Sequence, residues 1–152
     1  ACRGSKKRDP EEECLGRSRG GLSTKIHSTC DALGNPLSFH LTPGNAHDLE
    51  GADALLPGLL EKMKMLIADK AYDAKERVIE LLEEVEMETV IPPRSNKKES
   101  RKTDWHLYKR RHLIENFFAR LKQYRAIATR YDKRAHVFLG AIHLAASVMW
   151  LN

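Results

Sequence analysis

Long apolar runs are missing from this 152-residue chain, and no stretch approaches the roughly 18 uninterrupted apolar residues of a membrane-spanning helix. The opening ACRGSKKRDPEEE has no apolar signal-peptide core. The expectation is therefore a cytoplasmic protein without a membrane partner. Cysteine is scarce as well. Cys2, Cys14 and Cys30 form no CxxC pair and meet no His-x-x-x-His partner, which argues for reduced thiols over a disulfide framework or a zinc site. Walker loop, GxGxxG, GxSxG elbow, zinc-finger spacing and internal repeat are all absent. Their absence removes P-loop, dinucleotide and nucleophile-elbow chemistry.

What is present is charge, unevenly placed. The formal net charge is +5 with a pI near 9.2, yet residues 46–93 sum to −7 while residues 94–134 sum to +10. Basicity so concentrated suits a polyanionic partner better than general solubility does.

The length suits one α/β domain with a real core. Residues 1–15 read as a flexible polar arm and residues 16–152 as the domain. Leu22–Cys30 alternates with β-branched residues, DALGNP supplies turn chemistry and Leu37–Leu41 resumes the pattern, so a β-hairpin is expected. A helix is expected over about Leu49–Lys62, broken near Pro57, with Asp48 as its N-cap. Met63–Ala68 reads as a buried strand, Ala74–Met87 as a helix with Val78, Leu81, Leu82 and Val85 inward, and Thr89–Ile91 as a second short strand. A basic loop over residues 94–103 follows. The closing stretch, about Ala135–Leu151, reads as a buried helix giving apolar cover through Val137, Phe138, Leu139, Ile142, Leu144, Val148 and Trp150.

The stretch Tyr108–Lys122, YKRRHLIENFFARLK, carries the chemistry. At 100° per residue, Tyr108, Arg111, Glu115 and Lys122 share one face within about 60°, while Leu107, Leu113, Ile114, Phe117 and Leu121 gather opposite. A solvated amphipathic helix explains such a face equally well on charge alone. Asp69 adds a second carboxylate, because an acid at the carboxyl end of a buried strand projects into the crevice where open α/β sheets bind ligands. Read in isolation, Asp69 serves as well as a cap for the next helix. Converging carboxylates are tolerated when a divalent cation neutralises them, and hard oxygens suit Mg2+ or Mn2+. Arg17, Arg19 and Lys25, in or beside a glycine-rich basic loop, are either solvated or held on phosphates.

The spacing Tyr-x2-Arg-x3-Glu-x6-Lys resembles the signature of DDE transposases from bacterial insertion sequences, in the insertion-sequence-four and -five group. Residues 16–48 (GRSRGGLSTKIHSTCDALGNPLSFHLTPGNAHD), 66–74 (LIADKAYDA), 90–98 (VIPPRSNKK) and 112–133 are similar to the insertion-sequence-five branch. The resemblance implies an α/β, ribonuclease H-like mixed sheet with flanking helices. It implies that Asp69 and Glu115 are the second and third catalytic, metal-holding acids, with two Mg2+ or Mn2+ ions in an intact site. It also implies that Tyr108, Arg111 and Lys122 contact DNA. Expected partners are the terminal inverted repeats and target DNA, a further copy of the chain, and an upstream reading-frame product, all in the nucleoid-associated cytoplasm of a bacterium. The family's first catalytic aspartate has no match: Asp9 sits in KKRDPEEE, a polar setting unlike the strand motif, and takes no role. The expected fold is thus incomplete, lacking its first strand. The expectation is the C-terminal part of a transposase cutting and joining DNA strands, inactive alone, with a non-catalytic DNA-binding remnant as the alternative.

Overall fold

In a computed structural model, the structure describes residues 13–95 and 101–151. Two of the expected segments, most of the polar arm (residues 1–12) and the middle of the basic loop (residues 96–100), lie outside the described residues. The final residue does too.

A short strand β1 (Gly16–Ser18) turns into β2 (Gly21–Cys30), which pairs antiparallel with β3 (Pro36–Pro43) as the alternating pattern requires. The turn between β2 and β3 is built as its sequence dictates. Asp31 Oδ1 accepts from the backbone N–H groups of Leu33 and Asn35, each at 2.9 Å, and Gly34 takes φ +89°, a left-handed conformation that favours glycine. Helix α1 (Leu49–Leu55) follows. It stops well short of the expected Lys62, since Pro57 cannot continue the hydrogen-bond ladder and the chain proceeds in turns.

Strand β4 (Met65–Ile67) pairs in parallel with β5 (Glu88–Val90). Between them lie a 3-10 turn (Lys70–Tyr72), a π-helical turn (Lys75–Ile79) and helix α2 (Glu80–Glu84). The π turn rotates the phase of the helix, so Val78 and Leu82 are fully buried but Val85, expected inward, is 45% exposed. The helix ends there, with Glu86 at φ +53° and the Met87 N–H reaching back to the Leu82 carbonyl.

Helix α3 (Trp105–Tyr108) is capped by Asp104, whose carboxylate accepts from the N–H groups of His106 and Leu107. A 3-10 turn (Lys109–Arg111) joins it to α4 (His112–Leu121), and α5 (Arg125–Ala128) leads to α6 (Ala135–Leu151). The inner residues of α6 are Phe138, Ile142, Ala145, Ala146 and Met149. Val137, Leu144, Val148 and Trp150, expected to give apolar cover, are exposed. The helix is apolar all round but rests by one side on β3, α4 and α5, so its sequence alone overstates its burial.

Two cores result. One gathers Leu41, Phe117, Leu121, Ile127, Phe138, Ile142 and Met149; the other gathers Leu49, Leu56, Val78, Leu82, Met87 and Ile91. The expected mixed α/β composition is present, but as a three-stranded antiparallel sheet and a separate two-stranded parallel one. Among the described residues, no strand pairs with β2 from Thr24 to Cys30 on the edge opposite β3, or with the edge of β4 opposite β5. Cys30 is a free thiol, and burial beside Asp31 raises it to about 11.

Candidate active site

Asp69 stands immediately beyond β4, where the strand's carboxyl end meets the 3-10 turn. Its two oxygens divide the work. Oδ1 accepts from the Ala71 N–H at 3.0 Å, capping the turn, while Oδ2 faces the Arg111 guanidinium at 3.7 Å. Glu115 lies in the first turn of α4 and accepts from Arg111 Nη2 at 2.5 Å. One arginine thus contacts two acids from different parts of the chain, one beyond a strand end and one on a helix. The side chains of Asp69, Arg111 and Glu115 are 41, 28 and 54% exposed, so the group sits at the surface, open to a large partner.

Tyr108 completes the cluster. The Arg111 Cζ lies 5.5 Å from its ring centroid, a cation–π arrangement, and Trp105 meets the same ring edge-on at 5.6 Å. Lys122 is exposed at the C-cap of α4, and Arg17 and Arg19 are exposed on and beside the β1–β2 turn. Lys25 is engaged differently. Its Nζ donates to Asp48 Oδ1 at 2.7 Å and to the Ala46 carbonyl at 2.6 Å. Asp48 holds the N-cap position of α1 without a side-chain cap bond, because its carboxylate turns to Lys25.

Asp73 is a buried anchor. Its side chain is wholly buried and accepts from the Arg94 N–H at 2.8 Å and from Arg101 Nη2 at 2.5 Å. Arg94 also donates to the carbonyls of Lys70 and Ala71. Both flanks of the basic loop are therefore tied to the turn that carries Asp69. Only the coincidence of a basic loop and a second acid four residues after Asp69 hints at this in the sequence.

His27 is the other buried polar group of note. Its Nε2 is 2.8 Å from Thr42 Oγ1, and its ring lies against Gly51 of α1, where a Cβ would fall 2.2 Å from Nδ1. Burial lowers its pKa against the opposing pull of Asp48.

The donor chemistry fits a hard divalent cation. Asp69 and Glu115 present carboxylate oxygens toward one shared cationic position, held by the guanidinium. Among the described residues no cluster of three or more His, Cys, Asp or Glu converges, so these acids match one ion better than two. Also among the described residues, no helix is long and apolar enough to cross a membrane.

The family model described as a transposase DDE domain matches residues 4–150. A protein named as a transposase for insertion sequence element IS6501, from Brucella ovis, is 39% identical over 86% of this chain and 100% of its own length. The transposase for IS1106 of Neisseria meningitidis is 31% identical over 82% of this chain, and one named for IS402 of Burkholderia cepacia is 31% identical over 90%. The chain spans only 42 and 65% of the length of these last two relatives. No solved structure is matched significantly.

Proposed function

This chain belongs to the DDE transposase domain family, and from that membership we propose that it is the part of an insertion-sequence transposase that holds Asp69 and Glu115 against a scissile DNA phosphate. The observation that carries the reading is the convergence of both acids on Arg111. In the complete site the two carboxylates hold Mg2+ or Mn2+. A bound divalent cation supplies Lewis-acid polarisation of a phosphoryl oxygen and lowers the pKa of an attacking water or hydroxyl. The protein's own contribution is placement. Arg111 offers a planar set of donors for phosphate, Tyr108 a ring for stacking or hydrogen bonding, Lys122 a mobile charge, and Arg17 and Arg19 a second basic edge. Lys25 reaches a phosphate only by leaving Asp48.

Among the described residues the edge of β2 from Thr24 to Cys30 opposite β3 and the edge of β4 opposite β5 have no partner strand, and such edges suit one more strand. We assign that place to a strand bearing a third acid, brought by an upstream segment or reading-frame product. The proposed DNA partners are the terminal inverted repeats and target DNA in the bacterial nucleoid, engaged by more than one copy of the chain. The test is nicking of an end-containing duplex in Mg2+ or Mn2+. The chain by itself should leave the DNA intact. Adding the upstream segment should restore nicking, and Asp69→Asn or Glu115→Gln should abolish it. Robust nicking by the chain alone, insensitive to both substitutions, would sink the proposal.

A second reading is favoured by the count of converging acids, two among the described residues. It makes the chain a DNA-binding remnant without catalysis. Under that reading the upstream segment restores nothing, while Arg111→Ala and Lys122→Ala still weaken DNA binding and reduce its salt slope.

A further inference from the structure

Arg111 occupies the position that a cation between Asp69 and Glu115 must take. Nη2 bonds to Glu115 Oε1 at 2.5 Å and Nη1 faces Asp69 Oδ2 at 3.7 Å, so both acids turn lone pairs toward the same guanidinium. Two carboxylates on one guanidinium repel one another, and the charge of opposite sign they share offsets that cost. A divalent cation needs the same oxygens. Guanidinium and metal are therefore alternatives at one place.

Beside the acids, the arginine already lies over an aromatic ring. Its Cζ is 5.5 Å from the Tyr108 ring centroid, and that ring is braced edge-on by Trp105. Tyr108 lies on α3 and contributes nothing to the acids, so its face remains available when the carboxylates are taken. A guanidinium kept on the ring but freed from the acids has its N–H donors unspent. These are the donors that suit a phosphate.

We propose that Arg111 is an internal counter-ion: in the metal-free protein it holds Asp69 and Glu115 together, and metal loading releases it toward DNA phosphate. The inference rests on the reading that these two acids hold the metal. It adds an order of events, in which the phosphate-binding arginine becomes free only after the acids are loaded.

Mn2+ binding to the whole chain without DNA, read from the electron paramagnetic resonance signal of free Mn2+, tests it. Removing the competitor in Arg111→Gln should tighten Asp69-dependent Mn2+ binding about two- to fivefold, the scale of part-exposed ion pairs. Arg110→Gln, which removes a neighbouring exposed charge, should change it by less than about twofold. Asp69→Asn should abolish binding in both backgrounds. Thermal melts give an independent reading. Arg111→Gln should lower the melting temperature in EDTA and regain much of the loss in Mn2+, because the metal restores the missing neutralisation.

Equal or weaker Mn2+ binding in Arg111→Gln overturns the counter-ion role while leaving the metal site standing. Equal tightening in Arg110→Gln reduces the effect to general charge and overturns it too. If no variant, nor the wild-type chain, binds Mn2+ through Asp69, the metal site itself fails and the counter-ion role falls with it.

Discussion

The two cores are built by different rules. The first rests on a ten-residue strand and a 17-residue helix, with antiparallel pairing and large apolar side chains from β3, α4 and α6. The second is assembled from three-residue strands in parallel and short helical turns, one of them π-helical. Glu115 rises from the first, on a regular helix; Asp69 leaves the second at a strand end. A site divided in this way depends on the seam as much as on either half. Among the described residues, the contacts across it include Gly51 of α1 against His27 of the hairpin, Lys25 of the hairpin on Asp48 at the start of α1, and Arg111 between the acids.

The largest test of this contrast is to hollow each core in turn. Leu82→Ala and Ile142→Ala each remove a fully buried side chain and should cost about 2–5 kcal/mol, read by denaturant unfolding. If the seam couples the halves, both substitutions shift a single transition. Two transitions, each moved by only one substitution, would mean that the cores unfold separately.

Next in size is the seam itself. Gly51→Ala places a methyl 2.2 Å from His27 Nδ1, so the ring or the helix must move, at about 1–3 kcal/mol. His27→Ala made in the same chain should recover part of that loss; purely additive effects would show that the methyl meets something other than the ring.

The pH response of the same joint should be smaller and of definite sign. Burial holds His27 below its ordinary pKa near 6.5, so the unfolded chain takes up the proton more readily than the folded one. Stability should therefore be undiminished above about 6.5 and fall as pH drops from there through the lower folded value. His27→Gln should flatten that fall in melting temperature measured between pH 7 and 5. An unchanged slope would assign it to other groups.

The smallest effect is expected at Lys25–Asp48, a part-exposed pair on the hairpin side. Lys25→Met should change stability by less than about 1 kcal/mol. A larger loss would mean that this pair holds the start of α1 on the hairpin more strongly than a part-exposed ion pair does.

Local pattern made much of this readable in advance. The hairpin, its Asp31–Gly34 turn and the bounds of the last helix follow from alternation, turn residues and an uncharged apolar run. The stretch expected as one two-faced helix is divided instead: Tyr108 ends α3, Arg111 closes a 3-10 turn and Glu115 lies on α4. The misjudged positions were those where local pattern lacks information. Val85 has the period of a buried residue, but the π turn shifts its face. Leu144 and Trp150 are apolar, yet the helix carrying them packs by one side only.

The same division holds at the site. By itself the sequence determined which residues carry charge, which faces of the helices are apolar, and that one acid ends a strand while the other lies on a helix, because these depend on residues near one another in the chain. Tertiary structure alone decided that Arg111, four residues from Glu115, also reaches Asp69, that Asp73 is buried against Arg101, and that Lys25 is spent on Asp48. Each of these joins groups distant in sequence, and only the packing of the two cores sets the few ångströms that distinguish an ion pair from a solvated charge.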